Sequence, residues 1–561
     1  MGSGQICSAC FPIRMSKRSQ PVAAAGTVSP YSPKRETETR LQILGPALVA
    51  LLTLVVTFST LSTAMGGPGV TVDEYYDTTA GKRLVTAWQR WGWRFFSRQQ
   101  VEETFGPLTL HPPLARWCLG WAHAALDPAP EEPDLVAVPL GRMAPALAYA
   151  ALVFAVGASV GRQQGALAGT VSAAAVALVP RMFGHAHQAT LDTITTLFFV
   201  LAVLALAWAH DSGRWRAFAL AGVVWGLALA CKIHGWLLLP PVLVWFLWHR
   251  GRKGIVPAVV WGSCGAITFF LSWPWLWYAP VERLREYFHT ATERQALHTY
   301  YLGQVWNDVD VPWHYPWVML IAVLPLGFLA LGLVGIGTSR SRLLSDPLLS
   351  LALASGACVL LIFSWPGTPV YDGVRLFLMV IPLWAVFVGL GARAVFEARF
   401  WSTTSSRMQY GALALFVALQ GTGTVLMHPV QLSHYGFIVG GSRGAERLGF
   451  EPTYWGDAIT QPLLDAAAEH SAGNCVVYAP HLAPFHADAV AISFAGSDDA
   501  VLQLQGYDAQ KPQLNAECRF ALVYHRRADL KSVEPLLEGA DVIAEVARQG
   551  VWLGRLYRLA D

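Results

Sequence analysis

Residues 189–209 read ATLDTITTLFFVLAVLALAWA, an apolar stretch whose only charged side chain is Asp192. About 20 mostly apolar residues in a helix are enough to cross the hydrocarbon core of a bilayer. The stretch therefore predicts a membrane-spanning helix. Its one carboxylate stands near one end, and charges at such places usually mark function because they are costly to bury.

The composition of the whole chain agrees with this prediction. Of its 561 residues, 54% are hydrophobic and 14% are charged, whereas roughly 25% are charged in an average soluble domain. A disordered protein would have few hydrophobic and many charged residues. A soluble protein of this length would split into several domains with charged surfaces. The net charge of +3 is too small to favour a nucleic-acid partner. The sequence therefore predicts an all-α, polytopic membrane domain.

Ten further stretches have a similar apolar character, so we predict about eleven spans. Together with 189–209, the predicted spans are 42–64, 138–160, 163–180, 216–231, 234–249, 256–277, 316–336, 347–364, 374–393 and 408–427. A twelfth stretch, 112–127, is short, opens with two prolines and carries Arg116 and His123. If it does not span and the N-terminus is cytoplasmic, the short basic connections all fall on the cytoplasmic side, as the positive-inside rule requires. We therefore interpret 112–127 as a juxtamembrane or re-entrant helix.

This topology divides the chain into three parts. Residues 1–40 form a basic cytoplasmic tail that we expect to be disordered, residues 41–428 form the transmembrane domain, and residues 429–561 form a small soluble α/β domain. The loops 66–137 and 278–315 then lie on the outer side with the C-terminal domain. We expect a multi-pass protein of the plasma membrane whose C-terminal domain is extracytoplasmic.

The C-terminal domain combines short strand and helix patterns. Strands are predicted at 474–480, 519–525, 541–546 and 551–559, and helices at 455–470 and 530–538. Cys475 and Cys518 both lie in this domain, on the oxidising side of the membrane in this topology. The sequence leaves open whether they are bridged.

Ionisable residues collect at the outer ends of the predicted spans. The candidate site residues are Asp73, Glu74, His111, Arg116, Arg181, His185, His187, Asp192, Lys232, His289, His298, Asp372 and Arg375. Ionisable residues that only anchor helices at the membrane surface would occur on both faces. The grouping of these residues on one face therefore indicates a functional cavity. Simpler interpretations exist for single residues: Asp73 and Glu74 as solvated loop acids, and Lys232 as a side chain that reaches the interface.

These residue types suit the transfer of a sugar from a lipid-phosphate donor. A carboxylate near the membrane surface can act as a general base. Lys232, Arg375 and Arg181 can stabilise the negative charge that develops on a leaving phosphate. Glycosyl transfer of this kind passes through an oxocarbenium-like transition state.

The order of the motifs resembles a known family. Asp73-Glu74 just beyond the first span, followed by His111–Leu114 (HPPL) and Arg116, resembles the protein O-mannosyltransferases. The acidic outer loop, juxtamembrane helix and outward C-terminal domain are similar to the aminoarabinose transferases that modify lipid A. Both groups belong to the C-type membrane glycosyltransferases, which use polyprenyl-phosphate sugars. The resemblance covers roughly residues 42–460.

The resemblance implies roles for individual residues. Asp73 would be the catalytic base, with Glu74 supporting it or holding the acceptor. His111, Arg116 and Lys232 would lie at the donor phosphate, where the chemistry also places Arg375. Further cavity candidates are His185, His187, Asp192, His289, His298 and Asp372.

The resemblance also bears on metal use and stereochemistry. The aminoarabinose transferases carry an acidic-basic pair before the proline, where this chain has Leu110-His111. A metal site inferred from that group is therefore not carried over, and we expect no metal and no other cofactor, with His289 or His298 as the alternative metal positions. The family implies inversion at the anomeric carbon.

The sequence thus predicts a hexosyl- or pentosyltransferase that moves a sugar from a polyprenyl-phosphate donor to an acceptor hydroxyl. The acceptor would be a protein, a glycolipid or a glycan, and the chain would contact membrane lipid but no nucleic acid. The alternative is a transporter or flippase of a lipid-linked sugar, although we find no paired halves with broken helices, which transporters often show. A third hypothesis, a membrane scaffold, does not account for polar residues inside the span ends.

Overall fold

The structure is a computed structural model that describes residues 33–108, 111–127, 136–292, 296–398, 404–494, 502–508, 515 and 517–560. The first helix begins at Pro33, ahead of the predicted boundary at residue 41. The remainder of the predicted N-terminal tail, residues 1–32, lies outside the described residues.

Helices form most of the chain up to residue 447. They are α1 Pro33–Phe58, α2 Val72–Trp91, α3 Arg98–Phe105, α4 Leu114–Ala124, α5 Val138–Gly141, α6 Met143–Gln164, α7 Ala166–Ala177, α8 Pro180–Ala186, α9 Leu191–Ser212, α10 Trp215–Leu229, α11 Leu239–Arg250, α12 Ile255–Ser272, α13 Pro280–Thr292, α14 Tyr315–Val323, α15 Leu326–Ser339, α16 Pro347–Phe363, α17 Val380–Phe396, α18 Ser406–Gln420, α19 Thr422–Leu426 and α20 Gly441–Arg447. Each of the eleven predicted spans overlaps one or more of them.

The number of spans stays a prediction. Within the described residues, four helical segments are long and apolar enough to cross a membrane, or up to six if each of two bent helix pairs is one span. The pairs α7–α8 and α14–α15 are bent by 65° and 114°. A helix such as α10, with 15 residues, is only about 22 Å long, shorter than the roughly 30 Å hydrocarbon core.

The stretch 112–127 forms one short helix. Its helix, α4, has 11 residues and is therefore only about 16 Å long. It packs against α2 with the two backbones in contact, since a Cβ added to Gly120 would lie 2.1 Å from the carbonyl oxygen of Gly81. The pair of glycines thus sets how close the HPPL segment comes to the start of α2.

The segments predicted to lie outside meet at one end of the helices. In the second loop, β1 His298–Tyr301 pairs antiparallel with β2 Gln304–Asn307. This hairpin contacts the C-terminal part through the backbone of Gly303 and Gly449, 3.1 Å apart. The first loop does so through Gly69, whose N–H donates to the carbonyl of Asp457 at 2.8 Å.

The C-terminal domain contains a five-stranded mixed sheet with strand order β4-β3-β5-β7-β6. Its elements are α21 Gln461–Ser471, β3 Cys475–Ala479, α22 Pro484–Ser493, β4 Gln503–Gly506, β5 Phe520–Tyr524, α23 Arg527–Leu530, β6 Asp541–Arg548 and β7 Val551–Arg558. β3 runs parallel to β4 and β5, and β7 is antiparallel to β5 and β6. The predicted fold class, a helical domain with a small C-terminal α/β domain, is confirmed.

Two helices predicted in this domain are wrong in their bounds, and one strand was not predicted. The helix predicted at 455–470 begins only at Gln461, because Gly456 has a φ of +85°, which a helix does not allow. The helix predicted at 530–538 is replaced by α23 and a 3₁₀ turn at Glu534–Leu537. Strand β4 was not predicted, since its sequence QLQG lacks the β-branched and aromatic residues that mark strands.

Cys475, at the start of β3, forms a disulfide with Cys518, just before β5. The bridge closes a sequence separation of 43 residues. It therefore ties the two central parallel strands together at the end where β5 enters the sheet.

We predict that the paired substitution Cys475→Ala and Cys518→Ala lowers stability by about 2–4 kcal/mol, because the unfolded domain regains the freedom that the bridge removes. Thermal unfolding of the full-length protein measures the loss, and Cys264→Ala, at a free cysteine, is the control. Peptide mapping without reductant should recover the two cysteines linked. Recovery as separate peptides would contradict the bridge.

Candidate active site

Asp192, at the start of α9, lies between two cations. Its Oδ1 accepts a hydrogen bond from Lys232 Nζ at 2.6 Å, and its Oδ2 accepts one from Arg375 Nε at 2.9 Å. Lys232 stands in the turn after α10, and Arg375 opens a short 3₁₀ turn before α17. All three side chains are largely buried. We call Asp192, Lys232 and Arg375 the cation cluster.

Arg375 connects this cluster to two further carboxylates. One Nη donates to Asp73, in the first turn of α2, and the other lies 3.4 Å from Asp372 Oδ2. Its guanidinium also stacks over the ring of Trp455, 4.6 Å from the ring centroid. The side chain of Asp73 is 31% exposed, against 4% for Asp192 and for Asp372. Asp73 is therefore the carboxylate of this group that a ligand can reach.

Glu74, the neighbour of Asp73, has a different environment. It is fully buried, and its carboxylate binds Arg142 through two hydrogen bonds of 2.7 and 2.9 Å. It also accepts the backbone N–H groups of Thr71 and Ala189 and the Thr71 hydroxyl. These bonds cap α2 and tie its start to the segment before α9. The oxygens of Glu74 are thus occupied by protein groups, and of its two expected roles, supporting Asp73 or holding the acceptor, this arrangement favours the first.

The HPPL segment lies against the cation cluster. The backbone N–H of Leu114 donates to the carbonyl of Ala230, 2.9 Å away and two residues before Lys232. Burial, together with the charges of Arg116 and Lys232, holds the pKa of His111 well below its usual value. His111 is therefore a neutral imidazole beside cations.

Arg116 is paired with a carboxylate that the sequence analysis missed. Its Nε lies 3.2 Å from Asp77 Oδ1, and its Nη1 donates to the carbonyl of Leu108 at 3.0 Å. Asp77 is four residues after Asp73 on α2, so the two carboxylates share one face of the helix. That spacing was the signal that could have identified it.

Three other candidates, His185, His187 and Arg181, are buried within the protein. His187 bonds Thr60 Oγ1 and the carbonyl of Phe183, both at 2.9 Å, which ties α8 to the end of α1. His185 is buried, with its ring 5.8 Å from that of Trp455. Arg181 is buried between the rings of Tyr435 and Tyr454. Arg181 is therefore enclosed by protein, in contrast to the expectation that it meets a phosphate.

The two histidines of the second loop are not part of the cation cluster. His289 is exposed on α13, and His298, at the start of β1, lies 3.3 Å from Asp529. Among the residues that the structure describes, no group of three or more His, Cys, Asp or Glu side chains could hold a metal ion.

The C-terminal domain supplies two residues that the sequence analysis did not identify. Trp455 Nε1 donates to Asp372 Oδ2 at 2.8 Å, and Arg526 Nη1 lies 3.3 Å from Asp372 Oδ1. Both residues are far from Asp372 in sequence, and neither stands in a local pattern that marks a site. Only the folded chain reveals this contact.

Comparison with known proteins gives a match for the central part of the chain. Residues 111–278 match the family described as dolichyl-phosphate-mannose-protein mannosyltransferase. This segment holds the HPPL motif, Asp192 and Lys232. The match confirms the resemblance over these residues and the predicted class, a membrane glycosyltransferase. No match was found among curated protein sequences.

Solved structures of low sequence identity also align. ArnT from Cupriavidus metallidurans in the apo state is 16% identical with a TM-score of 0.49, and 91% of this chain and 97% of that chain are covered. The same protein bound to undecaprenyl phosphate is 14% identical, with a TM-score of 0.46 and the same coverage. The archaeal oligosaccharyltransferase AglB from Archaeoglobus fulgidus, in complex with an inhibitory peptide and a dolichol-phosphate, is 11% identical, with a TM-score of 0.46, covering 94% and 74%.

We predict that Glu74→Gln destabilises the protein by about 3–5 kcal/mol, because Arg142 would then be buried without its carboxylate. Asp73→Asn should change stability by less than about 1 kcal/mol, since its pair with Arg375 is partly exposed. Thermal unfolding of the two purified variants measures the difference. Equal melting temperatures would contradict the contribution of the buried Glu74–Arg142 pair to stability.

Proposed function

We propose that the protein transfers a sugar from a polyprenyl-phosphate donor to an acceptor hydroxyl, with inversion at the anomeric carbon. The observation that carries the proposal is the cation cluster with Asp73 at its accessible edge. The family matched by residues 111–278 takes its name from a polyprenyl-phosphate sugar, dolichyl-phosphate mannose. This supports the class of the donor.

Lys232 and Arg375 bind the donor phosphate in this proposal. Cations that are already in place stabilise the negative charge that develops on the phosphate as its bond to the sugar breaks. His111 is neutral and lies within the influence of the same cations, so its N–H can donate to a phosphate oxygen. Arg116 is held by Asp77 and acts by placing the HPPL segment. In this proposal, cationic side chains supply the positive charge at the phosphate.

Asp73 acts as the general base. It takes the proton from the acceptor hydroxyl while the acceptor oxygen attacks the anomeric carbon and the phosphate leaves. A retaining enzyme would need a second accessible carboxylate as nucleophile. Of the carboxylates described around Arg375, Asp192 and Asp372 are buried and bound by cations. A single displacement with inversion therefore fits the arrangement.

We infer that the site and the C-terminal domain face the extracytoplasmic side of the plasma membrane. The disulfide of Cys475 and Cys518 supports this orientation, since such bonds form in oxidising compartments. The C-terminal domain contacts the site through Arg526 and Asp372, so the two lie at the same end. The transferred unit is a hexose or a pentose, and the acceptor is a protein, a glycolipid or a glycan.

We predict that Asp73→Asn lowers the transfer rate by about 10²–10⁴-fold while donor binding is kept, because the variant loses the base but not the cations. The assay uses purified protein, labelled polyprenyl-phosphate sugar and candidate acceptors. Glu103→Gln, an exposed acid of α3, is the matched control. Full transfer by Asp73→Asn would show that Asp73 is not the general base. Donor that crosses vesicles without any transfer product would favour the transporter alternative.

We also predict that Lys232→Met weakens binding of polyprenyl phosphate by roughly 10- to 100-fold, the usual worth of a hydrogen bond to a charged group. Lys253→Met, at an exposed lysine in the turn between α11 and α12, should bind as the wild type does. The measurement is a titration of each full-length protein in detergent. Unchanged affinity in Lys232→Met would show that the phosphate binds elsewhere.

A further inference from the structure

We propose that Arg526 of the C-terminal domain is a positioning residue for Arg375 and acts on it through Asp372. This inference rests on the proposed function, because it takes Arg375 as a ligand of the donor phosphate. It makes the C-terminal domain part of the donor site. It also assigns a role to a buried arginine that no step of the proposed reaction uses.

Arg526 is fixed by protein on every side that the structure shows. Its Nη1 donates to the carbonyl of Tyr454 at 2.7 Å and lies 3.3 Å from Asp372 Oδ1. Its Nη2 donates to the carbonyl of His298 at 3.2 Å, and its Nε lies 2.7 Å from Asp529 Oδ2. The side chain is 10% exposed. Its charge is therefore held in one place beside Asp372.

Asp372 in turn stands between two arginines. Its Oδ1 faces Arg526, whereas its Oδ2 accepts the hydrogen bond of Trp455 and lies 3.4 Å from Arg375 Nη1. The residue has a φ of +55° and is followed by Gly373 at +69°, so the backbone turns sharply here. A hydrogen bond from the N–H of Gly373 to the Tyr315 hydroxyl, 3.1 Å long, holds this turn.

Asp372 is shared between Arg526 and Arg375, and this determines where the N–H donors of the Arg375 guanidinium point. Arg375 has three carboxylates around it, and a phosphate must compete with them for its N–H donors. While Arg526 and Trp455 bind Asp372, the pull of Asp372 on Arg375 is weakened. Without Arg526, Asp372 would have Arg375 as its main cationic partner, and the guanidinium would turn towards Asp372. Fewer of its donors would then face the phosphate.

The test measures binding of polyprenyl phosphate to the full-length protein in detergent. Arg526→Gln should weaken binding about tenfold, the effect of losing roughly one hydrogen bond of a charged group. The matched control is Arg527→Gln: this neighbour pairs with Glu446 at 3.1 Å, away from Asp372, and should bind as the wild type does. In the transfer assay, the KM for the donor should rise in Arg526→Gln and the KM for the acceptor should not.

A second substitution separates positioning from a merely structural role. Asp372→Asn introduced into Arg526→Gln removes the charge that competes for Arg375, so donor binding should recover to within about threefold of the wild type. If Arg526→Gln does not fold, Trp455→Phe replaces it. That variant deletes one donor to Asp372 but keeps a ring over Arg375, and Asp372→Asn should relieve its defect in the same way.

The outcomes distinguish this inference from the function on which it rests. Arg375→Gln that binds polyprenyl phosphate normally would overturn the phosphate site, and this inference with it. If Arg375→Gln loses binding but Arg526→Gln behaves like Arg527→Gln, only the role of Arg526 is overturned. It is also overturned if Arg526→Gln binds weakly and Asp372→Asn brings no recovery.

Discussion

The pairing of buried charges is the constraint on which the site depends. A charged side chain that leaves water is stable only with partners of opposite charge and filled hydrogen bonds. Asp192 meets this requirement with Lys232 and Arg375, which are brought from two other parts of the chain. If Asp192 moved away, Lys232 would lose the carboxylate that it binds, and if either cation moved away, Asp192 would lose one of its two charged partners. The ends of α9 and α10 and the segment before α17 are therefore held at one point, and Asp73 is placed relative to that point.

The same requirement explains what the sequence could predict. Long apolar stretches specify helices, and a charge within one stands out because it needs a reason to be there. Asp192, Lys232 and Arg375 were identified on this ground, and the structure brings them together. The two prolines and the short length of 112–127 likewise predicted a short helix, and α4 has 11 residues. The motifs that resemble the mannosyltransferases fall within or beside these segments.

What the sequence could not predict depends on contacts between distant segments. Asp73 and Glu74 are adjacent, but successive helical side chains point in different directions. Arg142 binds Glu74, so Asp73 is the carboxylate that stays accessible. The sequence near residue 74 does not indicate that Arg142 is its partner. Trp455 and Arg526 reach the site only because the C-terminal domain packs on the helical part. Its strand β4 was missed because its polar sequence has a place only beside the buried strand β3.

The charges around Arg375 also fit the proposed reaction. Asp73, Asp192 and Asp372 face Lys232, Arg375 and Arg526, so three carboxylates meet three cations. As the bond between sugar and phosphate breaks, the phosphate gains one negative charge. At the same time Asp73 takes up the proton of the acceptor hydroxyl, so its carboxylate loses one negative charge. The total charge of this half-buried site is therefore unchanged through the reaction, which matters because an uncompensated charge is costly where water is largely excluded. Because Asp73 and the leaving phosphate would both contact Arg375, the charge gained by the phosphate and the charge lost by Asp73 lie next to each other.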